Sequence, residues 1–218
     1  MGEARDVFMT GATGYMGRAL TALLVQRGHR VRALIRRGSQ SRLPAGCEPV
    51  IGDALDLTTF AGEVRSTDTF VQLVGVAHPG PAKAKEFRTI DLASARAGIE
   101  AAHSAHAMHF VYVSVAHPAP VMKAYIAARS EAEALLRASG LPATIVRPWY
   151  VLGPGHRWPV ILLPVTWLLE RFPPTRESAL RLGFVTLEQM VTALAWAIEH
   201  PSNETRIMEV PDIRKAAP

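Results

Sequence analysis

The sequence has 218 residues, of which 49% are hydrophobic, and its formal net charge is +5. A chain of this length buries one full core and is too short for two large independent cores. Its single cysteine, Cys47, excludes an internal disulfide and a multi-thiolate metal site. The basic residues are spread along the chain without an aromatic-interleaved strand motif, so we expect no nucleic-acid partner.

Two apolar segments are candidates for a signal peptide and a membrane-spanning helix. The first residues pass from charges through a short apolar run to glycines, without the long apolar core of a signal peptide. The longest apolar stretch, Trp158 to Leu169, is broken by Pro159 and Pro164 and is shorter than the roughly 20 residues of a membrane-spanning helix. These features predict a cytoplasmic protein with no transmembrane segment.

Short apolar runs alternate with longer amphipathic segments, which is the pattern of a parallel sheet covered by helices. The predicted strands are Asp6 to Thr10, Arg30 to Ile35, Pro49 to Ile51, Phe70 to Val76, His109 to Val115, Ala143 to Val146 and Thr205 to Val210. The predicted helices are Tyr15 to Arg27, Thr58 to Val64, Ala82 to Ala107, Met122 to Ala138 and Leu187 to Glu199. This order predicts an α/β fold, a doubly wound parallel sheet of the Rossmann type.

The regular alternation ends at Arg147-Pro148, after which glycines and prolines punctuate the chain. We therefore expect a dinucleotide-binding domain over residues 1–150 and a small loop-rich substrate region over residues 151–218, packed together as one structural domain. The apolar run from Val160 to Leu169 has three open interpretations, which are a lid, a dimer patch and a peripheral membrane contact. Monomer and homodimer both stay open.

A glycine-rich loop lies between the first strand and the first helix, with the sequence Thr10-Gly11-Ala12-Thr13-Gly14-Tyr15-Met16-Gly17. Gly11 permits the tight turn, Gly14 lets the backbone approach a pyrophosphate, and Gly17 lets the helix pack closely on the strand. The helix start then offers amide groups and a positive dipole end to the phosphates. Because the motif follows a strand and opens a helix in a βαβ unit, it predicts a dinucleotide site.

The residues after the second and third strands bear on the choice of nucleotide. NAD-selective folds carry an acidic residue at the end of the second strand, whereas this strand is followed by Arg36 and Arg37. A guanidinium grips a 2′-phosphate through paired donors, so the sequence favours NADP(H) over NAD(H), with ordinary exposed loop arginines as the alternative. Asp53 and Ala54 are placed to reach the adenine, although Asp53 could equally cap the next turn.

Taken together, these motifs resemble those of the short-chain dehydrogenase/reductase superfamily, in particular its atypical branch of epimerase-like and NmrA-like NAD(P)-binding proteins. The resemblance covers nearly the whole chain and rests on the glycine loop together with Gly52-Asp53, Leu73-Val74-Gly75-Val76-Ala77, Tyr112-Val113-Ser114, Ser139-Gly140-Leu141-Pro142, Arg147-Pro148 and Gly153-Pro154-Gly155. It implies that the segment with Val74, Gly75 and Val76 lies beside the nicotinamide half of the cofactor.

The resemblance also implies a catalytic set. In active members a tyrosine exchanges the proton of the substrate oxygen, a lysine four residues later supports the tyrosine and holds the nicotinamide ribose, and a serine orients the carbonyl. The candidates are Ser114 and Tyr125, and the lysine position is occupied by Arg129. Arginine keeps the positive charge but does not replace lysine conservatively at a precise site. An ion pair between Arg129 and Glu133, one helical turn further on, would tie up that charge.

Candidate substrate residues lie after two of the strands. His78 follows the fourth strand, and Trp149, Tyr150, His156 and Arg157 follow the sixth. Aromatic and arginine side chains suit stacking on, and charge pairing with, a polar or anionic ligand, and they suit packing under a long loop equally well.

A repeat of histidines at His103, His106 and His109 suggests a metal site. Only the first two can share a helix face, and no neighbouring carboxylate or thiolate completes a ligand set, so we expect no metal. The sequence as a whole favours a reductase or epimerase-like oxidoreductase that acts on a small carbonyl or alcohol substrate. The alternative is a non-catalytic NADP(H)-binding redox sensor or structural protein, which the arginine at position 129 favours.

Overall fold

The computed structural model describes residues 3–154, 171 and 173–216. Three predicted features, the apolar run from Val160 to Leu169, His156 and Arg157, lie outside the described residues. Among the helices that are described, none is both long and apolar enough to cross a membrane.

Parallel strands form the centre of the molecule. In the described part of the chain they are β1 (Asp6–Thr10), β2 (Arg30–Ile35), β3 (Glu48–Ile51), β4 (Asp68–Gln72), β5 (His109–Val113), β6 (Ala143–Val146), β7 (Tyr150–Leu152), β8 (Phe184–Thr186) and β9 (Thr205–Met208). The main sheet has the order β3-β2-β1-β4-β5-β6-β9, and β7 pairs with β8 in a separate small sheet. The strand order reverses between β1 and β4, which opens a crevice at the carboxyl edge of the sheet. The predicted Rossmann fold is confirmed.

Helices cover both faces of the main sheet. The described ones are α1 (Tyr15–Gln26), α2 (Ala84–Glu86), α3 (Ala93–Ser104), α4 (Lys123–Ala138), α5 (Pro173–Arg181), α6 (Leu187–Glu199) and α7 (Val210–Lys215). Alternate residues of β1 enter opposite cores, because side chains of a strand alternate between faces. Val7 and Met9 pack with α1 and α6, whereas Phe8 packs with α3 and α4.

Some predicted elements differ from the structure at their ends. Strand β4 ends at Gln72 rather than Val76, because the next residues leave the sheet where the backbone of Gly11 packs against Leu73. The helix predicted from Thr58 to Val64 is wrong, since the chain forms two short 3-10 turns, the first of which begins where the Asp56 carboxylate accepts a hydrogen bond from the Thr58 amide.

The long helix predicted from Ala82 to Ala107 is also interrupted. Residues Phe87–Leu92 are π-helical and connect α2 to α3. A π-helical turn inside an α-helix is rare and occurs often at functional sites. This segment faces the crevice, as described below.

A buried histidine predicts how stability depends on pH. His109 is fully buried in β5, and its ring contacts the Thr144 hydroxyl at 3.0 Å. Burial lowers the pKa of His109 to about 4 from 6.5, so the unfolded chain binds more protons than the folded chain between these values. We expect the free energy of unfolding to fall by about 3 kcal/mol as the pH decreases from 6.5 to 4. Urea unfolding across this range measures the loss.

The matched variants are His109→Gln and His103→Gln. His103 is exposed on α3, so its replacement should leave the pH dependence unchanged. His109→Gln should lower stability at neutral pH and flatten the slope below pH 6.5. The same slope in both variants would contradict the assignment to His109.

Candidate active site

The glycine loop is folded tightly against its neighbours. Gly11 has a φ of +75°, which favours glycine, and a Cβ atom there would lie 2.9 Å from the carbonyl carbon of Leu73. The Gly14 amide donates to the Gly11 carbonyl at 3.0 Å. A Cβ atom on Gly17 would overlap the same carbonyl oxygen. The loop therefore holds the start of α1 against the end of β1, as the sequence predicted.

The start of α1 is suited to an anion. Gly14 is the N-cap residue, and no side chain caps the helix. Amides in the first turn of a helix have no intrahelical partner, and the helix dipole places positive potential there. Gly14 is itself exposed, so its bare backbone is accessible from the crevice. A pyrophosphate fits this cradle, because the exposed, uncapped backbone at Gly14 leaves the first-turn amides accessible.

A cleft of about 350 Å³ extends from this loop across the carboxyl ends of β4, β5 and β6. It brings together most of the predicted site residues: Gly11, Gly14, Tyr15, Met16, Gly17, Gly75, Val76, His78, Ser114, Tyr125, Arg129, Trp149 and Tyr150. Thr13 and Val74 lie in the same loops without lining the cleft. The predicted phosphate-binding and catalytic residues therefore share one site.

The predicted adenosine residues lie further along the same edge of the sheet. Arg36 and Arg37 are exposed in the turn after β2, and Asp53 and Ala54 follow β3. The Asp53 carboxylate accepts a hydrogen bond from the Leu55 amide at 3.0 Å within the turn after β3, whereas the next helical turn is capped by Asp56. None of the four lines the cleft.

Arg129 is buried beside Tyr125. Its Nη2 donates to Asp91 Oδ1 at 2.6 Å and its Nη1 to the Val113 carbonyl at 2.8 Å. Its Cζ lies 5.2 Å from the centre of the Tyr125 ring. Burial lowers the pKa of Arg129, but Tyr125, Tyr112 and Asp91 raise it by more. The guanidinium is thus a fixed positive charge against the tyrosine.

Asp91 is the counter-charge that the sequence analysis missed. Burial raises the pKa of its carboxyl, and the Arg129 charge and the Val76 amide offset part of that rise. The expected pair between Arg129 and Glu133 is wrong, because Arg129 points to the π-helical segment instead. The signal for a buried pair was present, since Arg129 and Glu133 fall on the same face of α4 as the apolar Ala132 and Leu136.

Glu133 binds a different set of partners. It forms a buried ion pair with Arg147 and accepts a hydrogen bond from Ser114 Oγ at 2.6 Å. Burial raises the pKa of Glu133, but its bonds with Arg147, Ser114 and Arg137 lower it by more, so the carboxyl is ionised. In this arrangement the Ser114 proton is directed at Glu133. A role as donor to a carbonyl requires that this bond be exchanged.

His78 has a distinctive backbone. It is exposed at the mouth of the cleft with a φ of +50°, in the left-handed region. A residue other than glycine pays about 1 kcal/mol or more for that conformation. The Lys83 ammonium donates to the adjacent Ala77 carbonyl at 2.6 Å.

Comparison with known proteins decides the family. Residues 11–157 match the family model described as NAD(P)H-binding. The chain belongs to this family. The match includes the glycine loop, the segment after β4 and the Tyr125 to Arg129 turn, so the predicted membership of an NAD(P)-binding family is confirmed.

Two curated proteins and one solved structure are similar to this chain. Ceramide reductase of Caulobacter vibrioides is 28% identical over 218 residues, which cover 98% of this chain and 67% of that protein. The uncharacterized sugar epimerase YhfK of Bacillus subtilis is 32% identical over 152 residues, which cover 65% of this chain and 70% of that protein. The crystal structure of the Bordetella bronchiseptica enzyme WbmH in complex with NAD+ superposes with a TM-score of 0.71 at 20% identity, over 95% of this chain and 76% of that chain.

The family model describes NAD(P)H binding, and the relatives are named as a reductase and a sugar epimerase. The structural neighbour shares the fold at low identity. Tyr125 and Arg129, which lie one helical turn apart, both fall within the region that matches the family model.

Proposed function

We propose that this family member is an NADP(H)-dependent oxidoreductase that interconverts a ketone and an alcohol on a small, largely apolar substrate. The observation that carries the proposal is the placement of Tyr125 and the Arg129 cation in the same cleft as the glycine loop. In this view residues 1–150 hold the nucleotide and residues 151–218 complete the substrate side.

The chemistry assigns a role to each group. When bound, the nicotinamide supplies or accepts the hydride at the carbonyl carbon. In reduction, the Tyr125 hydroxyl donates its proton to the carbonyl oxygen and becomes a phenolate, which takes a proton from solvent afterwards. Arg129 stabilises that phenolate from its position against the ring. Ser114 donates a hydrogen bond to the carbonyl oxygen once its hydroxyl leaves the Glu133 carboxylate, to which it is bonded at 2.6 Å.

The proposed apolar substrate class is based on the side chains that line the cleft. The described lining of the cleft includes Val76, Pro79, Val115 and Val151, together with the aromatic Trp149. The positive charge of Arg129 is already paired with Asp91, which disfavours an anionic group at that point. A ketone with apolar substituents fits this lining, and a relative bears the name ceramide reductase.

A second function is favoured by one observation. Arg129 replaces the lysine that the resemblance calls for, and its two terminal nitrogens donate to the Val113 carbonyl and to Asp91. A guanidinium held in this way suits a protein that binds NADP(H) without turnover, as a redox sensor or a structural protein. Screening ketones for nucleotide oxidation, followed at 340 nm with the wild-type chain, separates the two functions.

Nucleotide selectivity is a separate prediction. If Arg36 or Arg37 binds the 2′-phosphate, replacing both with alanine should weaken NADP(H) binding by about 10- to 100-fold and leave NAD(H) binding unchanged, because one charge-assisted bond contributes about 1.5–3 kcal/mol. Isothermal titration calorimetry measures both dissociation constants.

The matched control is Arg65→Ala. Arg65 is an exposed arginine just before β4, at the opposite edge of the sheet, so this variant should bind both nucleotides like the wild type. Equal affinities of the wild-type chain for NADP(H) and NAD(H) would remove the assignment of Arg36 and Arg37.

A further inference from the structure

The side chain of Tyr15 reaches from the glycine loop to the opposite side of the cleft. Tyr15 is the first residue of α1 and follows Gly14, whose exposed backbone forms the phosphate cradle. Its hydroxyl lies against the backbone of Gly153, directly after β7, because a Cβ atom at position 153 would overlap that oxygen and would lie 3.1 Å from Tyr15 Cζ. One side chain therefore connects the start of α1 to the end of β7.

Position 153 requires glycine because of space and not because of its backbone. The φ of Gly153 lies outside the left-handed region, so an alanine could adopt the same conformation. The space for a side chain is taken by Tyr15 on one side and by Leu187 on the other, since Leu187 Cβ would lie 3.2 Å from the added Cβ. Leu187 begins α6, the helix that packs on α1. The end of β7 is thus held between the starts of two packed helices.

The residues just before Gly153 form one side of the cleft. Trp149, Tyr150 and Val151 all line it, and we call these three residues the β7 wall. Strand β7 pairs with β8 in the small sheet, where the ring of Tyr150 packs edge-on against Phe184 with the centroids 6.0 Å apart. Because β7 is not a strand of the main sheet, side-chain contacts rather than a shared strand ladder set its distance from the glycine loop.

We infer that Tyr15 is a positioning residue through which a bound nucleotide and the β7 wall stabilise each other. A dinucleotide that binds against the start of α1 restricts the loop that carries Tyr15. The tyrosine then fixes Gly153 and the end of β7, because closely packed groups transmit a displacement. Linkage of this kind is reciprocal, so a displaced β7 weakens nucleotide binding in turn. The inference rests on nucleotide binding and does not depend on the turnover of a ketone.

Amide hydrogen exchange tests the effect of the nucleotide on β7. Saturating NADP+ should slow the exchange of the Val151 and Leu152 amides at least about fivefold in the wild-type chain. Tyr15→Leu, measured at its own saturating NADP+ concentration, should lose this difference, because leucine lacks the atoms that contact position 153. Met16→Leu changes the next residue of the same loop, which also lines the cleft, and should keep the wild-type difference. The same slowing in both variants, or none in the wild type, would overturn the role of Tyr15.

A glycine variant and its rescue test the reverse direction. Gly153→Ala places a methyl group where the Tyr15 hydroxyl lies, so the dissociation constant of NADP+ should rise at least about fivefold in calorimetric titration. Gly153 is not among the described residues that line the cleft, so a direct contact with the nucleotide does not account for such a loss. Tyr15→Phe removes the overlapping oxygen. The double variant Tyr15→Phe/Gly153→Ala should therefore bind NADP+ within about twofold of Tyr15→Phe alone.

The matched control is Gly183→Ala. Gly183 lies just before β8, and a Cβ atom there would overlap Arg214 Nη2, so this variant crowds the other strand of the same small sheet. It should bind NADP+ within about twofold of the wild type, because it leaves the contact with Tyr15 in place. Equal losses in the two alanine variants, wild-type affinity in Gly153→Ala, or no rescue by Tyr15→Phe would each overturn the inference. A wild-type chain that binds NADP+ and reduces no ketone would refute the proposed function and leave these titrations decisive for Tyr15.

Discussion

Tyr125→Phe should reduce turnover by about 10²–10⁴-fold, because it removes the only atom of this side chain that can donate the proton. The ring contacts with Phe87 and Arg129 are kept, so neither the fold nor the NADP(H) affinity should change. The measurement is kcat on a ketone found by screening, with nucleotide affinity by calorimetry and thermal unfolding as controls on the same sample.

The outcome separates the two proposed functions. Lost turnover with intact NADP(H) binding supports Tyr125 as the proton donor. Unchanged turnover would assign the proton to another group. If no substrate is turned over by the wild-type chain while NADP(H) binds, the non-catalytic function is favoured.

The second large effect is expected at Gly14. Its backbone is extended, with φ −79° and ψ −179°, so other residues can adopt its conformation. Aspartate is a preferred N-cap residue, but a Cβ atom at position 14 would lie 3.2 Å from the Gly11 carbonyl oxygen, so the gain from capping is offset by a small shift of the loop. The new carboxylate would lie where the phosphates bind, so we expect nucleotide affinity to fall at least about 100-fold through like-charge repulsion.

The control carries the same charge elsewhere. Gly62 is exposed, and a side chain there would meet no neighbouring atom, so Gly62→Asp changes the net charge equally without touching the cleft. It should bind NADP(H) like the wild type. Gly14→Asp with wild-type affinity would show that the nucleotide does not lie against the start of α1.

Much of the fold could be predicted from the sequence, because each strand and turn depends on a short run of neighbouring residues. The bounds of β1, β2 and β6 were predicted correctly, since each is a short apolar run between turn residues. The glycine loop was predicted for a similar reason, because the steric demand at Gly11 and Gly17 is met within one turn.

The polar interior of the site was not accessible in the same way. Asp91 and Arg129 are 38 residues apart, and only the packing of α4 against the π-helical segment brings them together. The sequence marks charges on the apolar face of α4 but does not say which partner each will find. The pair of Glu133 with Arg129 that the sequence suggested does not form, and Glu133 pairs instead with Arg137 on the same helix and with Arg147 beyond the end of β6.

The small sheet has a consequence for how this scaffold diversifies. Tyr150–Leu152 pairs with Phe184–Thr186, so the polypeptide that leaves the main sheet after β6 is brought back to its starting point before α6 begins. A segment whose two ends are clamped together can lengthen at a low entropic cost. Insertions or deletions between these strands would therefore leave the nucleotide cradle in register.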